Sequence, residues 1–96
     1  MNKTLIETAI KTALAMYGYK EIEFVRSAVS NENTNVLGID VRYGYKPDKL
    51  YYKLDLTFEG YVLIWVETNE MGVPMSHLDA IKKSIKQARK EAKKAQ

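Results

Sequence analysis

A chain of 96 residues, 46% apolar and 28% charged, has the composition of one globular domain with one core, which argues against a disordered chain. It has no cysteine, which removes disulfides, thiolate metal sites and thiol nucleophiles together, and no apolar run nears the roughly 20 residues of a membrane span. The net charge of +3 hides an asymmetry, because residues 1–79 carry 8 Lys/Arg against 11 Asp/Glu while residues 80–96 carry 7 against 1.

Thr4-Leu5-Ile6-Glu7 reads as a capping box, in which the Thr4 hydroxyl accepts from the amide of Glu7 and the Glu7 carboxylate from that of Thr4. Ile6, Ala9, Ile10, Ala13, Leu14 and Tyr17 then recur at threes and fours, and Gly18 stands where a left-handed C-terminal residue is wanted. The pattern predicts a helix over 4–17. Ile22, Phe24 and Ala28 alternate with polar neighbours, which predicts a strand over 21–29, and Ser30 to Asn35 is a polar loop. Leu37, Ile39, Val41, Tyr43 and Tyr45 give the cleanest alternation in the chain, and Lys46-Pro47-Asp48-Lys49 is a four-residue turn.

Leu50 to Val66 predicts a hairpin. Leu50, Tyr52, Leu54, Leu56 and Phe58 alternate with Tyr51, Lys53, Asp55 and Thr57, whereas Tyr61 to Val66 is apolar on both faces. With Glu59-Gly60 as a two-residue turn, Phe58 faces Tyr61, Leu56 faces Leu63 and Leu54 faces Trp65, which predicts a buried Trp65. The Lys46 turn sets Val41 against Leu54, Ile39 against Leu56 and Leu37 against Phe58. Pairing Val29 with Val36 sets Ala28 against Leu37, Phe24 against Val41, Ile22 against Tyr43 and Glu23 against Arg42. Three turns thus agree on one apolar face. Arg26 dissents by landing on it, which calls for a bulge or a head group reaching out at the sheet edge.

After an irregular loop over 68–75, Ser76 is the expected N-cap of a second helix, with Leu78, Ile81, Ile85, Ala88, Ala92 and Ala95 as its apolar stripe. Its large residues can pack on a sheet; from Ala88 onward it is expected to project or to lie close against something. The expected fold is a two-layer α+β domain over 1–96, of order αββββα, in which a four-stranded antiparallel meander of order 1-2-3-4 carries both helices on one face. Whether the second helix covers the inner or the outer face stays open at this point.

No constellation points to catalysis. Asp40 and Asp55 fall opposite each other and paired carboxylates can share a proton, but the flat outer face of a meander offers no cleft, and Arg42 and Lys53 lie diagonal to them as neutralising charges. His77 is the single histidine, without a second imidazole or thiol for zinc, and is expected at the surface or at the helix cap. The five glycines make no phosphate-loop pattern. The chain is therefore read as not an enzyme, without cofactor or metal.

Two features suggest binding. Val62, Ile64 and Val66, with Val25, Val29, Val36 and Tyr51, form an apolar row on the outer face beside an unpaired edge strand, which suggests a protein partner or a homodimer. Lys82, Lys83, Lys86, Arg89, Lys90, Lys93 and Lys94 clothe the second helix, either as phosphate contacts or as a solubilising surface. The order helix, three strands, helix with a basic last helix is similar to double-stranded RNA-binding domains, although Ser76-His77-Leu78-Asp79 stands where they carry a basic cluster and they lack the fourth strand. In size, absence of cysteine and lack of a catalytic motif, the chain also resembles small phage-encoded inhibitors such as anti-CRISPR proteins. The expected function is a non-enzymatic binding protein working at the last strand and the outer face, as an inhibitor of a host nucleic-acid enzyme in the version that this resemblance implies; the alternative is a nucleic-acid-binding module using the last helix. A cytoplasmic location without membrane attachment is the default.

Overall fold

A computed structural model describes residues 3–29, 36–46, 52–68 and 72–94. Helix α1 (Lys3–Ala15) is followed by strands β1 (Glu21–Val29), β2 (Val36–Gly44), β3 (Tyr52–Glu59) and β4 (Val62–Thr68), and by helix α2 (Met75–Lys94). The strands form one antiparallel sheet in the order β1-β2-β3-β4, giving the expected α+β class. The helix-covered face holds the core. Ile6, Ile10, Ala13 and Leu14 of α1 and Leu78, Ile81 and Ile85 of α2 are buried together with Leu37, Ile39, Val41, Tyr43, Leu54, Leu56 and Phe58 of the sheet. Both helices thus lie on the inner face, and Ala88 packs against this core, the second of the two expectations for the end of α2.

Helix α1 starts one residue before the expected cap, which places Thr4 inside its first turn. Its end is a Schellman motif, with the Tyr19 amide donating to the Leu14 carbonyl (3.4 Å), the Gly18 amide donating to that of Ala15 (2.9 Å), and Gly18 at φ 84°. Tyr19, the residue after this left-handed step, is buried. Helix α2 begins at Met75 rather than after Ser76.

The central pair β2–β3 has the expected register throughout, with Leu37, Ile39 and Val41 opposite Phe58, Leu56 and Leu54. Both edge strands depart from theirs by one extra residue. In β1, Ile22↔Tyr43, Glu23↔Arg42 and Phe24↔Val41 hold, after which Arg26 pairs with Asp40 and Ala28 with Gly38 instead of Leu37. Phe24 packs on the core and Ser27 opposes the inward Ile39, so the two residues between them, Val25 and Arg26, both turn outward. This bulge resolves the dissent of Arg26.

In β4 the turn is Gly60-Tyr61, with Gly60 at φ 61° and no positive φ at Tyr61, the pattern of a type II′ turn with glycine first. Phe58 therefore faces Leu63 rather than Tyr61, a slip of two residues that keeps faces unchanged. A bulge then intervenes, and Leu56 faces Val66 while Thr57 faces Trp65. The expectation of an inward Trp65 and an outward Val66 is thereby reversed. Val66 packs against the core, and Trp65 is 57% exposed. The side chain of Val29, Leu50, Tyr51, the loop 30–35, the turn 47–49, residues 69–71 of the expected loop 68–75 and Ala95 lie outside the described residues.

Candidate functional site

The outer face divides into a charged half and an apolar half. Across the strands Arg26, Asp40, Asp55 and Glu67 share one row. The Arg26 Nε donates to Asp40 Oδ2 at 3.0 Å, and its Nη2 lies 3.8 Å from Asp55 Oδ1. Gly38 lets the guanidinium lie this low, since a Cβ there would come within 3.1 Å of Nη2. Arg26, rather than Arg42 and Lys53, is thus the cation paired with the two aspartates. Its hydrogen bond holds the Asp40 carboxyl below its ordinary range, while burial and the neighbouring Asp40 push Asp55 up. The pair of carboxylates is closed by an internal counter-ion, and among the described residues no group of three His, Cys, Asp or Glu side chains could hold a metal.

The apolar half lies on β4. Val62, Ile64 and Trp65 are 54%, 51% and 57% exposed, on a strand whose far edge has no neighbour among the described residues. Leu63 and Val66 pack inward on either side of the bulge, so Ile64 and Trp65 turn outward as consecutive residues. Of the expected interface, Val62 and Ile64 stand where the alternation placed them, Val66 belongs to the core, Tyr51 lies outside the described residues, and Trp65 is the residue that alternation missed. Val25 is exposed at the opposite edge and Val36 is half-buried.

On the helix side of the same edge, Lys82, Lys86 and Arg89 line a small hollow with Phe58, Tyr61, Leu63 and Ile85. Lys83, Lys90, Lys93 and Lys94 are exposed elsewhere on α2. The ion pairs among the described residues all involve Arg26, so none of the α2 cations has a counter-ion there. A larger groove of about 1050 Å³ runs between α1 and α2, floored where the Ser84 hydroxyl donates to the Ala9 carbonyl at 2.7 Å.

The end of the core near the start of α2 is a cluster of rings. His77 is 5% exposed, against the expectation of a surface or cap position, because Tyr17, Tyr19, Tyr43 and Tyr52 surround it with centroids 4.7 to 5.8 Å away. The Tyr43 hydroxyl and His77 Nδ1 share a hydrogen bond of 2.9 Å, and the Tyr17 hydroxyl donates to the Ser76 carbonyl at 3.1 Å. Burial lowers the His77 pKa and raises those of Tyr43 and Tyr19, which favours the neutral form of each of these three. The cluster packs at one end of the core.

No family model, no curated protein and no solved structure matches the chain. No helix among the described residues is long and apolar enough to cross a membrane.

Proposed function

We propose that the chain is a non-enzymatic binding protein that acts through the free edge and outer face of β4. The observation that carries this reading is the exposure of Val62, Ile64 and Trp65 side by side on an edge strand. A large aromatic and two branched aliphatic side chains in water are an unfavourable arrangement for a monomer and a favourable one for an anchor that loses its water on association. An unpaired strand beside them offers backbone donors and acceptors to an incoming chain. The β1 edge supports the contrast, since Glu21, Glu23 and the paired Arg26 make it a charged edge. Occlusion of a site on another protein, as small inhibitors do, is one use of such a surface.

The second reading, a nucleic-acid-binding module, is favoured by the cations of α2, which have no counter-ion among the described residues, and by Tyr61 beside Lys82, Lys86 and Arg89 as a stacking ring. Capture of partners from the native host, with and without nuclease, separates the two. The first reading expects a nuclease-resistant protein partner that is lost with Ile64→Lys, whether or not changing Lys82, Lys86 and Lys93 to Glu also weakens it. Loss on nuclease treatment and with the lysine changes, with Ile64→Lys indifferent, would establish the second.

A further inference from the structure

We infer that the occupant of the β4 edge is an extended acidic segment of another protein, added as a fifth strand with its apolar side chains beside Trp65 and its carboxylates beside α2. This rests on the reading of β4 as the interface. The edge lies between two layers of different chemistry. Outward stand Val62, Ile64 and Trp65; on the helix side stand Lys82, Lys86 and Arg89, around a hollow of about 220 Å³ that Tyr61 shares. An added strand turns successive side chains to alternate faces, so each face of the occupant meets one of these layers. Its apolar positions would cover the indole, and its acidic positions would supply the counter-ions that the three cations lack among the described residues.

Spacing agrees with charge. Lys82, Lys86 and Arg89 span about 10 Å along the helix, and same-face positions of a strand recur every ~6.7 Å, so two or three carboxylates fall within reach of the three cations. β4 itself has 7 residues, a length that pairs with a segment of ordinary strand size.

Two other occupants fit less well. A second copy paired β4 to β4 about a two-fold axis would set the cationic flanks of the two α2 helices side by side, with like charges facing. A nucleic acid would find the cations, yet on the other side of the edge its phosphates would meet Asp55 and Glu67, which sit in the row next to Trp65.

The test uses displayed libraries of peptides of about ten residues that alternate Asp or Glu with Val, Ile, Leu or Phe, a matched library with Lys in place of the acids, a single-stranded DNA oligonucleotide, and the chain alone over a range of concentrations. Trp65 is the single tryptophan and reports contact through its emission, and amide hydrogen exchange reports pairing along β4. The acidic library is expected to yield peptides that shift the emission to shorter wavelength, protect the β4 amides, and bind at least about tenfold more weakly to a Lys82→Glu, Lys86→Glu, Arg89→Glu variant with unchanged Tm. Equal recovery from the lysine library would overturn the acidic occupant and leave β4 as the interface. Protection of β4 that grows with concentration in the chain alone would overturn it in favour of a second copy. Oligonucleotide binding that leaves Trp65 unmoved, with no peptide recovered from either library, would overturn this inference and the β4 reading together.

Discussion

The two edges of the sheet use the same device to opposite ends. Each edge strand admits one extra residue, and each bulge turns two consecutive side chains outward, Val25 and Arg26 on β1, Ile64 and Trp65 on β4. On β1 the charged member is paired within the molecule, because Arg26 reaches over Gly38 to Asp40 and Asp55, while Val25 stays exposed. On β4 nothing among the described residues takes up the exposed indole or Ile64. A bulge commonly blunts a sheet edge against pairing. Here one edge is bulged and charged, whereas the other is bulged and apolar, and the proposed role of β4 rests on that difference. The central strands accept no such insertion, since each must match a neighbour on both sides.

The contrast is broken most forcefully from the core. Phe58→Ala on β3 removes a fully buried ring opposite Leu63 and is expected to cost about 3–5 kcal/mol in chemical denaturation. Trp65→Ala, two strand positions away but facing water, is expected to change stability by less than about 1 kcal/mol while weakening a β4-bound partner at least about tenfold, as read by titration calorimetry. A comparable loss of stability in Trp65→Ala would mean that the indole is a core residue after all.

Gly60→Ala probes how the β4 register is set. The φ of 61° at the first turn position disfavours any side chain, and a loss of about 1 kcal/mol is expected in thermal unfolding.

The ring cluster supplies a pH dependence. The folded-state pKa of His77 lies below its ordinary value of 6.5, so below about that pH the unfolded chain takes up a proton that the folded chain resists. Its contribution to stability is fully present above pH ~6.5 and is lost as pH falls from there toward the lowered folded value. Tm is expected to fall across that window, and His77→Gln is expected to flatten the slope. The smallest effect belongs to β1. Gly38→Ala crowds the Arg26 guanidinium, and the Asp40 midpoint followed by carboxyl NMR is expected to move up toward its ordinary value of 3.8.

How much of this was legible in the sequence follows from the same physics. The register of β2 on β3 could be read whole, because a clean alternation on both strands leaves one pairing that buries both apolar faces. A bulge interrupts alternation without adding a residue type of its own. On β1 it left a trace, since Arg26 fell on the apolar face, and a charged residue out of phase is a usable signal. On β4 it left none, because Tyr61 to Val66 is apolar at every position and hydrophobicity is then indifferent to which side Trp65 takes. Glycine at the first position of a primed turn was the missed clue to the slip of two. His77 was misplaced because its burial is made by tyrosines far apart in the chain, although Tyr17, Tyr19, Tyr43 and Tyr52 all fall near element ends that the meander gathers at one end of the sheet.

The most direct measurement is the emission of Trp65 with an aqueous quencher, in the free chain and in the presence of a captured protein partner. The free chain is expected to show the spectrum and quenching of an indole in water, and the complex a shift to shorter wavelength with protection from the quencher. A buried-indole spectrum in the free chain, or a complex that leaves Trp65 as accessible as before, would contradict the proposed role of β4.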